Sequence, residues 1–208
     1  METICRCGWC NLSNPLYVAY HDREWGVPQH DDEKLFELLI LESFQAGLSW
    51  ETILNKREAF RAAFDGFDPK KVAAYGEEKA AALLENQAIV RNRRKIAAAV
   101  QNAKVFLEIR EEWGSFSRYI WRFTDGTVVR ETGKASSPLS DRVSADLKKR
   151  GMTFVGTTIV YAYLQAIGVI DSHDPECFLH REDGTAGEPE PAAEDAGRPV
   201  PAGFPGTG

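Results

Sequence analysis

Several things that would announce a function are scarce or missing in this chain. No apolar run reaches the roughly 18 residues that a membrane-spanning helix needs, so no membrane partner is expected. The opening METICRCGWC shows no basic stretch followed by an apolar one. A secretory signal is therefore not expected, and the cytoplasm is the default compartment. There, four cysteines in 208 residues point to thiols or metal ligands rather than disulfides. No internal repeat of fixed period is visible. Strand-forming runs are nearly absent, Gly126-Thr127-Val128-Val129 being the one plausible strand and too short to build a sheet. An excess of basic charge is also missing, since the formal net charge is −6.

That last absence weakens on inspection. From Glu182 onward six acids face only Arg198, so this stretch carries −5 and residues 1–181 carry −1. Within that near-neutral body, basic clusters occur at Arg91, Arg93, Arg94 and Lys95, and at Lys148, Lys149 and Arg150. Either cluster reads as a solvated helix face or as a modest nucleic-acid-binding surface. Residues 182–208, rich in Gly, Pro, Ala and Glu, lack the apolar anchors to offset ordering entropy and read as a disordered acidic tail. The remaining 1–181 suffice for one core, or for two small lobes around a cleft.

What is present reads as helix. Asp31 and Asp32 can cap a helix with Leu35, Leu38, Leu39 and Glu42 on one face, and Ser49 a second one through Trp50, Ile53 and Leu54. Asp68-Pro69 has the pattern of an N-cap followed by proline in the first turn. Helices are expected over 77–85 and 90–112, joined by a tight turn at Asn86-Gln87-Ala88. Ser115 and Ser140 each open another, and a last apolar helix runs from Thr157 to Ile167 with Gly168 as its stop. The expected class is all-α with short connections.

Two constellations carry chemistry. Cys5, Cys7, Cys10 and His21 lie near the start, and His173 and Cys177, with three residues between them, near the end. One cysteine and one histidine from each region would complete a closed tetrahedral zinc site that tethers the two ends. A reduced cysteine cluster with unrelated histidines is the other reading, and His30 and His180 read as surface residues. Separately, Trp9, Tyr17, Tyr20, Trp25 and Trp50 crowd around Glu42 in the first quarter of the chain. Tyr17, Tyr20 and His21 share one helical face. Glu42, on an apolar face, is either satisfied by a tyrosine hydroxyl or a backbone amide, or is an ionised anchor for a cationic aromatic ligand.

The strings that contain these residues resemble the type I 3-methyladenine DNA glycosylase family. They are Cys7-Gly8-Trp9, the run Tyr17 to Pro28 (YVAYHDREWGVP), Leu41-Glu42, Gln45 to Trp50 (QAGLSW), Ile89 to Arg93 with Lys95-Ile96, Lys149-Arg150-Gly151 with Phe154 to Thr158, and His173 with Cys177. The likeness spans residues 5–178 in register. It implies a helix-hairpin-helix superfamily fold, one structural Zn2+ held by Cys7, His21, His173 and Cys177, and hydrolytic excision of 3-methyladenine from double-stranded alkylated DNA by a monomer, without strand nicking. By position it assigns Glu42 to the flipped base and Trp50 to stacking. Tyr17 and Tyr20, with Trp9 and Trp25, form the pocket wall. Gly47 and Leu48 fall at the wedge that meets the gap in the duplex. The turn before Ile89, with Arg91 and, farther on, Lys149, falls at the DNA backbone. Where the family usually has glycine this chain has Ala88, which would cost roughly 1 kcal/mol if its φ were positive.

Methylation at ring nitrogen 3 makes the purine cationic and weakens its glycosidic bond, so departure leaves a neutral base and no strong general acid is needed. The nucleotide must be extruded and stripped of water. The family lacks the catalytic aspartate of its superfamily relatives, and Asp171, which resembles that acid locally, is read as a decoy beside His173. Two rivals are a zinc-stapled helical module that binds methylated DNA or nucleobases without cutting, and a zinc hydrolase with an open metal position.

Overall fold

Side-chain caps set most of the helix starts. In the computed structural model, which describes residues 4–181, α1 (Pro15–Arg23) begins behind Asn14, whose side chain accepts from the Leu16 amide. Asp31 caps α2 (Asp32–Gln45) through the Glu33 and Lys34 amides, and Ser49 caps α3 (Trp50–Leu54). After α4 (Arg57–Ala63) comes α5 (Pro69–Ala73), capped by Asp68 with proline in the first turn, as its sequence predicts. Next come α6 (Glu77–Glu85) and the long α7 (Arg93–Trp113). The latter starts three residues later than expected because the Asn92 side chain caps it, accepting from the Lys95 amide. Ser115 caps α8 (Phe116–Trp121). For α9 (Pro138–Lys149) the cap is Ser137, not Ser140. Pro138 takes the first turn and Ser140 closes a reciprocal capping box with Ser137. Then comes α10 (Thr157–Ala166).

The expectation of no sheet needs correcting. β1 (Val129–Arg130) pairs in parallel with β2 (Ile170–Asp171), in the register Val129–Ile170 and Arg130–Asp171. Two residues per strand leave no periodic signal, and the partners lie far apart in the chain. This small ladder steadies the segment that leads into His173.

Every α2 residue from Leu35 to Phe44 is buried, which makes it the central helix of the core. α3, α7, α8 and α10 pack around it, α9 packs on α10, and α5 and α6 pack on α7. The two ends of the described stretch are joined to each other. The Phe178 amide donates to the Cys5 carbonyl at 2.9 Å, and the Gly8 amide to Asp174 Oδ2 at 2.8 Å. Gly168 stops the last helix at φ +71°, and a Cβ there would lie 2.3 Å from the Val27 carbonyl carbon. Only glycine lets the segment after α1 pass this close. Among the described residues no helix is long and apolar enough to cross a membrane. Residues 182–208, read above as a tail, lie outside the described ones.

Candidate active site

A cavity of about 320 Å³ opens between two walls. Trp9, Tyr17, Tyr20, Trp25, Glu42, Gln45 and Trp50 come from the N-terminal side, while Lys134, Ala162, Gln165, Ser172 and Asp174 face them. The aromatic rings contact one another. Tyr20 and Trp50 have centroids 5.2 Å apart, Trp9 and Tyr17 5.4 Å, and Trp9 and Trp25 4.7 Å edge-on. All five aromatics singled out in the sequence therefore meet in one place. A larger cavity of about 390 Å³ lies elsewhere, between Phe123, Asp125, Leu139 and Arg142, and has no such cage of rings.

Glu42 is 3% exposed, and its Oε2 has no hydrogen-bond partner, nor has the Nε1 of Trp50. The satisfied-acid alternative thus loses its support. Ionisation of this acid works against its burial. Burial, with no cation to offset it, pushes the Glu42 carboxyl up to about 8, which favours its protonated form near neutral pH. A cationic guest reverses that balance. Burial likewise pushes Tyr17 up to about 12 and Tyr20 well above its ordinary value, so both remain neutral phenols.

Beside this cavity, Cys7 Sγ, His21 Nε2 and Cys177 Sγ lie within 4.8 Å of one another, all buried. His173 stands next to them, its ring centroid 5.6 Å from that of His21, with a buried and unpartnered Nε2. The Nδ1 of His21 is 2.8 Å from Asp22, and that of His173 is 2.8 Å from Asp171. Each carboxylate accepts a hydrogen bond from the Nδ1–H of its histidine, which leaves Nε2 as the unprotonated ring nitrogen. Asp171 is thereby engaged with His173. Gly26 makes room for this arrangement, since a Cβ there would lie 2.6 Å from the His173 ring. Trp25 packs edge-on to His173 at 4.8 Å, so the cluster backs the aromatic wall.

The residues expected at DNA fall into two groups. Gly47 and the 40%-exposed Leu48 project from the turn after α2, and Arg91 and Lys149 are exposed. Ile89, in contrast, buries its side chain, and its amide reaches back to the Asn86 carbonyl at 3.4 Å. Its side chain is thus not presented at the surface. Ala88 does not adopt positive φ, so the feared strain does not arise. Its amide donates to Asn86 Oδ1 and its carbonyl accepts from Lys56. Arg150, counted above in a basic cluster, is occupied by Asp146 and Glu112.

A family model described as Methyladenine glycosylase matches residues 9–180. The chain belongs to the methyladenine glycosylase family. It is 46% identical over 182 residues to DNA-3-methyladenine glycosylase 1 of Escherichia coli K12, which covers 84% of this chain and 96% of that protein. A crystal structure of 3-methyladenine DNA glycosylase I superposes with a TM-score of 0.82 at 46% identity, covering 85% of this chain and all of the other. A tyrosine-to-phenylalanine variant of 3-methyladenine DNA glycosylase I, solved in complex with 3-methyladenine, superposes at 0.79 with 35% identity, covering 85% of this chain and 99% of that one.

A metal in this member of the family would fit the donors present. Cys7, His21 and Cys177 form the cluster, two thiols and one imidazole, and His173 beside it is the candidate for a fourth donor. Burial lowers the His21 pKa, which favours the neutral imidazole that metals bind. Burial also pushes the Cys7 thiol up to about 12, so a thiolate there requires a cation. The sequence reading missed Lys95. Its buried Nζ donates to the Phe44 carbonyl at 2.8 Å and to the Ala46 carbonyl at 2.6 Å. It thereby ties the end of the Glu42 helix and the Leu48 turn to the start of α7. A lysine inside an exposed basic string gives no sign that it will turn inward.

Proposed function

We propose that this chain excises 3-methyladenine from double-stranded alkylated DNA by hydrolysing its N-glycosidic bond. The observation that carries this is a buried, unpartnered carboxyl oxygen lining a cavity ringed by five aromatic side chains. Leu48, presented by the Gly47 turn, enters the gap in the duplex. The turn between α6 and α7 is read as a helix-hairpin-helix element that meets the DNA backbone together with Arg91 and Lys149. The extruded base slides between Trp50 and the two tyrosines, and Trp9 and Trp25 close the wall.

Glu42 then selects for charge. A cationic purine lowers the raised pKa of the carboxyl, which releases its proton to solvent, and the carboxylate formed accepts hydrogen bonds from the base. Neutral adenine gains no such term. The cage excludes water from the base, and the bond to the sugar is already weak, so what remains is to favour the sugar cation. No general acid acts on the leaving group. One Zn2+, held by Cys7, His21, His173 and Cys177, would fix the two ends of the chain and the wall behind Trp25. With four protein ligands it would have no water position, which would set this reading apart from a zinc hydrolase. Asp171 serves by orienting His173.

Supercoiled plasmid treated with a methylating agent tests the proposal against a module that binds without cutting. After incubation it should stay closed until alkali breaks the abasic sites. A plasmid that survives alkali would support the binding module, and nicking before alkali would contradict simple hydrolysis.

A further inference from the structure

The reaction brings more than a base to the cavity. A nucleotide turned out of the duplex carries a phosphodiester on each side of its sugar, and these anions must stop at the mouth while the base goes in. Of the described residues that line the cavity, Lys134 is the one basic side chain; Glu42 and Asp174 are acids. Lys134 sits in the short segment between β1 and α9. That segment is fastened to the strand leading to the histidine–cysteine cluster, since the Glu131 amide donates to the Asp171 carbonyl at 3.2 Å and the Ser172 hydroxyl donates to the Glu131 carbonyl.

The Lys134 ammonium is not adrift. Its Nζ lies 2.7 Å from Glu131 Oε2, whose side chain is only 10% exposed, while that of Lys134 is 51% exposed. One proton is thus directed inward to a carboxylate, and two remain for a partner on the solvent side. The hydrogen bond to Glu131 raises the Lys134 pKa above its ordinary value, so the group remains a cation and not an amine nucleophile. The pair is close to neutral overall, so it does not repel a cationic base on its way in. It still offers donors to an anion held at the rim.

We infer that Lys134 binds a phosphodiester oxygen flanking the extruded nucleotide and so positions its sugar over the cavity. The inference rests on the cavity being the base pocket. A plain surface ion pair with Glu131 is the alternative, and it would leave DNA out.

Lys134→Gln separates the two. Excision from methylated duplex DNA is measured as kcat/KM across a range of salt concentrations, with free 3-methyladenine affinity and thermal stability measured alongside. The variant should lose activity most at low salt, and its log–log salt dependence should be shallower by about 0.9, the loss of one phosphate contact. Free-base affinity should change far less than kcat/KM, any drop in melting temperature should be that of one surface ion pair, and Lys134→Arg should restore the slope. An unchanged slope overturns the inference, as does a matching loss of free-base affinity. If the wild-type chain itself releases no base, the proposed function fails, and that outcome is distinct from either.

Discussion

Glu42→Gln should make the protein more stable and less active at once. The ordinary carboxyl titrates near 4.5, and burial pushes this one to about 8. Below about pH 4.5 both the folded and the unfolded chain hold the proton, and the acid has no effect on pH-dependent stability. As pH rises toward 8 the unfolded carboxyl ionises and the buried one does not, so stability is lost through that window. At roughly 1.4 kcal/mol per pH unit, the loss is about 0.7 kcal/mol at pH 5 and about 3 kcal/mol at pH 7. Glutamine has the same shape and no charge to lose, so urea melts should place the variant about 3 kcal/mol above wild type at pH 7. The gap should nearly close at pH 5. Release of 3-methyladenine should fall at least tenfold, about 1.4 kcal/mol in the barrier. A variant no more stable than wild type at pH 7 would show that Oε2 has a partner in solution. Normal excision by a folded variant would show that the base binds elsewhere.

Three further perturbations have definite outcomes. Cys177→Ser should abolish stoichiometric zinc and lower the melting temperature by about 5–10 °C, roughly 2–4 kcal/mol, while catalysis per folded molecule falls less; elemental analysis that finds no metal in folded, active wild type contradicts the site. Lys95→Met removes the donor to the Phe44 and Ala46 carbonyls and should cost about 1–3 kcal/mol in urea melts, with Lys95→Arg recovering part of it; an unchanged midpoint would mean that these carbonyls find water. Truncation near Asp183 should leave both melting temperature and base release unchanged, and a clear loss of either would show that the acidic stretch docks on the body.

Much of this arrangement was legible because its signals are local. Asp31, Ser49, Asp68 and Ser115 cap where their sequence context says they should, and Tyr17, Tyr20 and His21 share a helix whose face is set by spacing alone. The residues that escaped depend on distant partners. Ile170–Asp171 is a strand only because Val129–Arg130 lies beside it. Ser137 takes the cap from Ser140 because Pro138 suits the first turn and Ser140 completes the box. Glu42 was visible as a misplaced acid, but its protonation depends on the absence of any cation near it, which no spacing reveals. Lys95 and Lys134 look alike in sequence, yet one is buried against helix-end carbonyls and the other stands at the rim of a cavity.

The most direct test is chromatography of the free bases released when the purified chain is incubated with methylated duplex DNA. The expected result is a 3-methyladenine peak that grows with time and enzyme, with no release of unmodified adenine and at least tenfold less 3-methyladenine from Glu42→Gln. A folded protein that binds the DNA yet leaves the base fraction empty would contradict excision by this site.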